Sequence, residues 1–296
     1  MKNPTAILTA DWHLMDRAPQ CRTDAFRKAM WRKVDFIRDL AIENQCPIWI
    51  AGDVFDRWKV STKFVLETYD HLIGAAVYAL YGQHDLPNHC MDRVDESALC
   101  CLAHTRSGVI GECEGLVCLD WGEDDAAVGP ESLDEDFALM THQMAYQGKK
   151  PYPGCPSTGN AKKVLRKYPW AKMVLTGDNH QPFVERLKGR ILVNPGSLMR
   201  TTAAQIDHKP RVYLWSRETN EVEPVFIPIE KGVVSREHID RRDTTTIEAY
   251  VRRLEGEVDV NLSFRENMRK YLAENNIGTR IKNIIQDAQG DEYGSR

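Results

Sequence analysis

The chain has 296 residues and a formal net charge of −4, from 39 Lys and Arg against 43 Asp and Glu. At roughly 150 residues per domain, this length predicts two domains, or one large α/β domain with an appendage. The composition, 42% hydrophobic and 28% charged, excludes a largely disordered chain, and the charge excludes a polycation that holds nucleic acid by charge alone.

Short apolar runs alternate with helical patterns through the first two-thirds of the chain, as βα units do. Ala6 to Ala10 reads as a buried strand. A helix then runs from Thr23 or Asp24 to about Asn44, with Phe26, Met30, Val34, Ile37 and Leu40 on one stripe. Pro47 to Ala51 is the next strand, Ser61 caps a helix carrying Phe64, Val65, Tyr69 and Leu72, and Ala76 to Tyr81 is a third strand. Further strands are expected at Gly115 to Leu119, Phe137 to Thr141, Met173 to Thr176, Arg190 to Val193 and Arg211 to Trp215, with a helix from Asn160 to Tyr168. After Pro228 the strand signals stop. Charged helical patterns follow around Thr246 to Arg253 and from Ser263, which opens a capping box with Glu266, to Asp287. The expected boundary divides residues 1–228 from a helical appendage over 229–296.

No apolar run approaches the ~18 residues of a membrane helix, and the start of the chain turns polar too soon for a signal peptide. A cytoplasmic protein is expected, with no membrane partner and with its eight cysteines as reduced thiols. No cysteine pair has the close spacing of a zinc knuckle; Cys113 and Cys118, with His104 nearby, are the weak exception.

The strand ends carry the chemistry. Successive strands run into Asp11-Trp12-His13, Gly52-Asp53-Val54-Phe55-Asp56, Gly82-Gln83-His84-Asp85, Thr141-His142 and Gly177-Asp178-Asn179-His180. Ligands of open α/β sheets bind beyond the carboxyl ends of strands, so these residues share one rim. Carboxylate and imidazole without thiolate suit Mn²⁺, Fe²⁺, Mg²⁺ or Zn²⁺. Asp11, His13, Asp53, His142, Asp178 and His180, with Gln83 as a further ligand, are too many for one tetrahedral ion and suit a two-metal site. Trp12 and Trp58 read as rim packing before base stacking. The Lys162, Lys163, Arg166 and Lys167 cluster reads as a solvated face, with contact to DNA phosphates as the alternative.

The order and spacing of these five blocks resemble the calcineurin-like metallophosphoesterase superfamily, over roughly Ile7 to Pro228. Gly52 to Asp56, His180-Gln181-Pro182-Phe183 and Asn194-Pro195-Gly196-Ser197 are similar to the SbcD-like DNA repair exonuclease branch. The resemblance implies a four-layer α/β/β/α sandwich with a short helical C-terminal appendage. It implies two divalent ions, Mn²⁺ first and Mg²⁺, Fe²⁺ or Zn²⁺ otherwise. Asp11, His13 and His180 would hold one ion, Asp53 would bridge, and His142, Gln83 and Asp178 would hold the other. A bridging water would attack phosphorus, His84 would stabilise the transition state or protonate the leaving oxygen, and Asp85 would orient the His84 ring. Pro195 to Ser197 would form a backbone wall. Gln83 and Asp178 depart from the pattern, which has Asn and His there, so the second ion is expected to bind more weakly. The implied function is DNA phosphodiester hydrolysis, with an SbcC-like ATPase docked through the C-terminal helices and a homodimer as a further arrangement. The alternatives are an enzyme acting on small nucleotides or phosphoproteins, and a catalytically weakened scaffold.

Overall fold

Successive residues of the central strands are buried on opposite faces, which a strand allows only when both faces of its sheet are covered. The computed structural model describes residues 1–105, 113–123 and 137–237. In chain order these form β1 (Ala6–Thr9), α1 (Phe26–Asn44), β2 (Ile48–Ile50), α2 (Thr62–Leu72), β3 (Val77–Ala79), α3 (Ala98–Thr105), β4 (Leu116–Leu119), β5 (Phe137–Thr141), α4 (Ala161–Lys167), β6 (Ala171–Thr176), β7 (Phe183–Leu187), β8 (Arg190–Asn194), β9 (Arg211–Ser216) and β10 (Glu221–Phe226). Two five-stranded sheets result, in the orders β10-β9-β1-β2-β3 and β4-β5-β6-β8-β7. The runs β1-β2-β3 and β4-β5-β6-β8 are parallel, while β9, β10 and β7 are antiparallel to their neighbours.

Three apolar layers hold the sandwich together. Ile7, Ile48, Ile50 and Val77 face α1, α2 and α3. Leu8, Trp49 and Trp215 face the second sheet, meeting Met140, Met173, Leu175 and Val193. On that sheet's other side Leu139, Val174 and Leu192 pack on Ala161, Val164 and Leu165 of α4. The layers are therefore helix, sheet, sheet, helix, as the resemblance implied. Trp49 and Trp215 meet with ring centroids 5.5 Å apart between the sheets.

Ser61 caps α2 as expected, accepting from the Phe64 amide at 3.2 Å. Three elements had no expectation. β7 and β10 are edge strands with mostly part-exposed side chains, so neither shows an apolar pattern, and β10 carries Pro224, which only an edge tolerates easily. α3 is short and buries Ala98, Leu99 and Leu102. Residues 229–237 run back against the sandwich: the Ser235 amide donates to the Cys21 carbonyl at 2.7 Å, and Val234 packs beside Cys21 and Ala203. The helices expected at 246–253 and 263–287 lie outside the described residues. No helix of the described residues is long and apolar enough to cross a membrane.

Leu175 is fully buried between the sheets. Leu175→Ala should lower unfolding stability by about 3 kcal/mol through lost burial and a residual cavity, measured by urea denaturation.

Candidate metal centre

All five parallel-strand ends singled out in the sequence open on one side of the sandwich, where loops from the two sheets interlock. The Asp178 amide, after β6, donates to Asp11 Oδ1 at 2.9 Å. The His84 amide, after β3, donates to Asp53 Oδ1 at 2.9 Å. Each carboxylate keeps its second oxygen buried and without a hydrogen-bond partner. His142 donates from Nδ1 to the Ala51 carbonyl at 2.6 Å, which leaves Nε2 buried, partnerless and 3.5 Å from Asp53 Oδ2. His13 Nε2 lies 3.0 Å from His180 Nε2 and 3.7 Å from Asp53 Oδ2.

The potential ligand atoms form three overlapping sets: Asp11, His13 and His180; His13, Asp53 and His84; and Asp11, Asp53 and His142. Asp11, His13 and Asp53 each belong to two of the sets. Open buried atoms on carboxylate and imidazole fit divalent cations, because a buried polar atom without a partner costs about 1–3 kcal/mol unless a ligand satisfies it. A carbonyl holding one ring nitrogen, as Ala51 holds His142, is the usual way an imidazole ligand is oriented.

Backbone geometry aims these groups. Asp11, His13, Asp53 and Asp178 all have positive φ, at 49°, 43°, 52° and 71°. Such conformations cost about 1 kcal/mol or more per residue and persist where the surroundings enforce them. Gly177 is required for space: a Cβ there would strike the Ala51 carbonyl and the His142 ring.

Burial pushes Asp11 up to about 8, against the pull of His142 and with the push of Asp53. It pushes Asp53 the same way, but His142 and His13 outweigh it and hold that carboxyl below its usual range. Burial pulls His13 down to about 3 and lowers His180. For His142 burial also favours the neutral ring, yet Asp53 and Asp11 outweigh it and lift the group to about 10. At neutral pH, His13 and His180 therefore present lone pairs.

Gln83 and Asp178 meet each other. Gln83 Nε2 donates to Asp178 Oδ1 at 2.8 Å, while Gln83 Oε1 is buried and partnerless. The amide oxygen thus remains a buried atom free to ligate, and Asp178 lies outside the three close sets among the described residues.

The role expected for Asp85 needs correction. Its carboxylate accepts from the amides of Phe55 at 2.9 Å, Gly82 at 3.0 Å and Val54 at 3.2 Å. Those three bonds consume the carboxylate and pin the β2 loop to the β3 loop. The His84 ring is instead held through Nδ1 by the Asp56 carbonyl at 3.0 Å. Trp12 is fully buried and donates to Thr9 Oγ1 at 2.9 Å, so it packs and does not stack on a ligand. No cysteine enters a close set among the described residues, and all eight are unpaired.

The expected wall at residues 195–197 grips the centre through the backbone. The Ser197 amide donates to the His180 carbonyl at 3.3 Å, and the Leu198 amide donates to the Asp11 carbonyl at 3.1 Å. Asn194 is a positioning residue that carried no assigned role. Its Nδ2 donates to the carbonyls of Asn179 and Gln181, so the residues on both sides of His180 are fixed from the end of β8. A polar residue ending an apolar strand was the signal for it, the same signal that found the ligands.

Residues 7–212 match the calcineurin-like phosphoesterase superfamily domain, and the chain belongs to that superfamily. No curated protein sequence matches the chain. Similar solved structures include an archaeal phosphodiesterase, at 13% identity and a TM-score of 0.42 over 75% of this chain and 99% of that one. Others are a single mutant of Vps29 from Entamoeba histolytica, at 15%, 0.35, 75% and 99%, and a predicted phosphoesterase from Streptococcus pneumoniae, at 13%, 0.33, 76% and 99%.

Two measurements test this centre. Asp11 and His142 hold protons at pH 7 that a cation must displace, so binding should release protons, up to about two per chain. Affinity should rise as pH climbs from 7 toward 10, because fewer protons compete; calorimetry in buffers of different ionisation enthalpy counts them. Calorimetric titration should also resolve two unequal Mn²⁺ sites, about tenfold or more apart, with the gap narrowed in Asp178→His. Equal tight sites in the unaltered chain would remove any special role for the Gln83–Asp178 pair.

Proposed function

We propose that the protein is a two-metal-dependent phosphodiesterase that hydrolyses DNA, with Mn²⁺ as its resident ion. The observation that carries the hydrolytic reading is the buried convergence of Asp11, His13, Asp53, His142 and His180 with donor atoms left open toward one another. Divalent ions held there would offset phosphodiester charge and acidify a water for attack on phosphorus.

The protein's own groups do the rest. Asp53 belongs to two of the three sets and would be the bridging ligand. His13 and His180, kept neutral by burial, would ligate without proton loss. His84, whose Nδ1–H is tethered to the Asp56 carbonyl, keeps Nε2 as its working atom beside His13 and Asp53, where as an imidazolium it would donate to a phosphoryl or leaving oxygen.

Two features favour a polymeric substrate. The motif runs at 52–56, 180–183 and 194–197 are similar to those of SbcD-like nucleases. α4 exposes Lys162, Lys163, Arg166 and Lys167 while burying Ala161, Val164 and Leu165, and Tyr168 at its end lines a cleft shared with His142. A phosphate backbone tracking that face would arrive at the metal centre. The same reading puts the protein in the cytoplasm, with an SbcC-like ATPase docked through the helices expected at 246–253 and 263–287.

His84→Ala should cut Mn²⁺-dependent cleavage of linear DNA, circular single-stranded DNA and a chromogenic phosphodiester by about 10²-fold or more. Equal activity of the two proteins would discard the proposed role of His84. Turnover of a mononucleotide or phosphopeptide without DNA cleavage would move the substrate to small phosphoesters. No Mn²⁺-stimulated hydrolysis at all would leave a scaffold.

A further inference from the structure

Behind the loop that grips Asp11 and His180, α1 and the chain at 227–230 enclose a second cavity of about 420 Å³. Arg22, Lys33 and Arg200 line it, and all three are buried: Lys33 is 5% exposed and Arg200 3%, and the Arg22 side chain is 3% exposed. Asp24 is the carboxylate among them, and Arg22 consumes it, donating from Nε at 2.8 Å and Nη2 at 2.6 Å. Lys33 and Arg200 find only neutral acceptors among the described residues. Lys33 Nζ donates to the Leu198 carbonyl at 2.8 Å, and Arg200 donates to the carbonyls of Ile206 at 3.3 Å and Glu230 at 2.7 Å. Arg200 Nε is buried with no acceptor.

The other acids on the cavity wall each have a cationic partner of their own. Asp35 pairs with Arg38 and His71, Asp39 with Arg38, and Glu230 with Arg32. The cavity floor thus carries three buried cations to one anion. Unpaired buried charge is costly and normally calls for a counter-ion. Burial, with Arg22 and Arg200 alongside, pulls Lys33 down to about 7.

We propose that this cavity binds a tetrahedral dianion, inorganic phosphate or the phosphate of a small monoester, against Lys33, Arg200 and Arg22. Two uncompensated cations match a dianion better than a carboxylate, and guanidinium forks suit phosphate oxygens. Phe36, Ile227 and Ile229 add apolar lining, which suits a monoester's organic part. The site is distinct from the metal centre but touches its backbone: Lys33 holds the carbonyl of Leu198, whose amide holds Asp11.

Thermal unfolding of the full chain tests this, with inorganic phosphate, glycerol phosphate or chloride added at equal ionic strength and no divalent ion present. Phosphate or the monoester should raise Tm saturably and chloride should not; whichever acts at lower concentration identifies the source. Lys33→Met should be no less stable without phosphate, since it removes an uncompensated charge, yet need at least tenfold more phosphate for the same shift. Arg200→Lys, which keeps charge but loses the fork, should weaken the response as well. The shift should persist in His142→Ala, which disables the metal centre instead. No saturable shift, an equal shift in Lys33→Met, or a shift lost in His142→Ala would each overturn the proposal.

Discussion

The carboxylate of Asp53 is the joint on which the centre depends. One oxygen is fixed by the His84 amide from the β3 loop; the other faces His13 from the β1 loop and His142 from the second sheet. A charged group this deep is tolerable only while opposite charge or a cation stands next to it, so the loops of both sheets must close together around it. Asp85 closes the joint from behind by accepting three amides that tie the β2 and β3 loops. A conserving change at Asp85 would therefore act through loop geometry, not through proton transfer.

The same closure explains the unusual backbone. Four site residues adopt left-handed conformations that a solvated loop would abandon. They are held by bonds between loops: the Asp178 amide to Asp11, the Leu198 amide to the Asp11 carbonyl, and the His13 amide to the Asp53 carbonyl. The three apolar layers supply the stability that offsets this strain. They keep the strand ends in register, so each loop starts from a fixed point.

The pair at Gln83 and Asp178 shows how two unusual residues answer one another. A longer amide at 83 donates its N–H to the carboxylate at 178 and leaves its oxygen turned to the buried side. Relative to an imidazole at 178, this adds negative charge beside Asp11 and Asp53, which favours harder cations.

Much of this was legible in the sequence for a plain reason: local apolar runs ending in Asp, His or Asn mark parallel strands and their functional ends, and both properties are local. The strand positions, the α2 cap and the ligand candidates at 11, 13, 53, 142 and 180 rested on such runs. The edge strands β7 and β10 were not legible, because part-exposed edges need no apolar pattern and β10 even carries Pro224. The work of Asp85 and the Asp56 carbonyl was equally hidden, since hydrogen bonds to backbone amides and side chains depend on which loops meet. The buried cations at 22, 33 and 200 are far apart in sequence, and nothing local marks them as neighbours. Residue type and strand end, being local, were determined by the sequence itself. Which carboxylate meets histidines from both sheets, which one staples the loops, and where positive charge is left uncompensated were decided only when the two sheets packed.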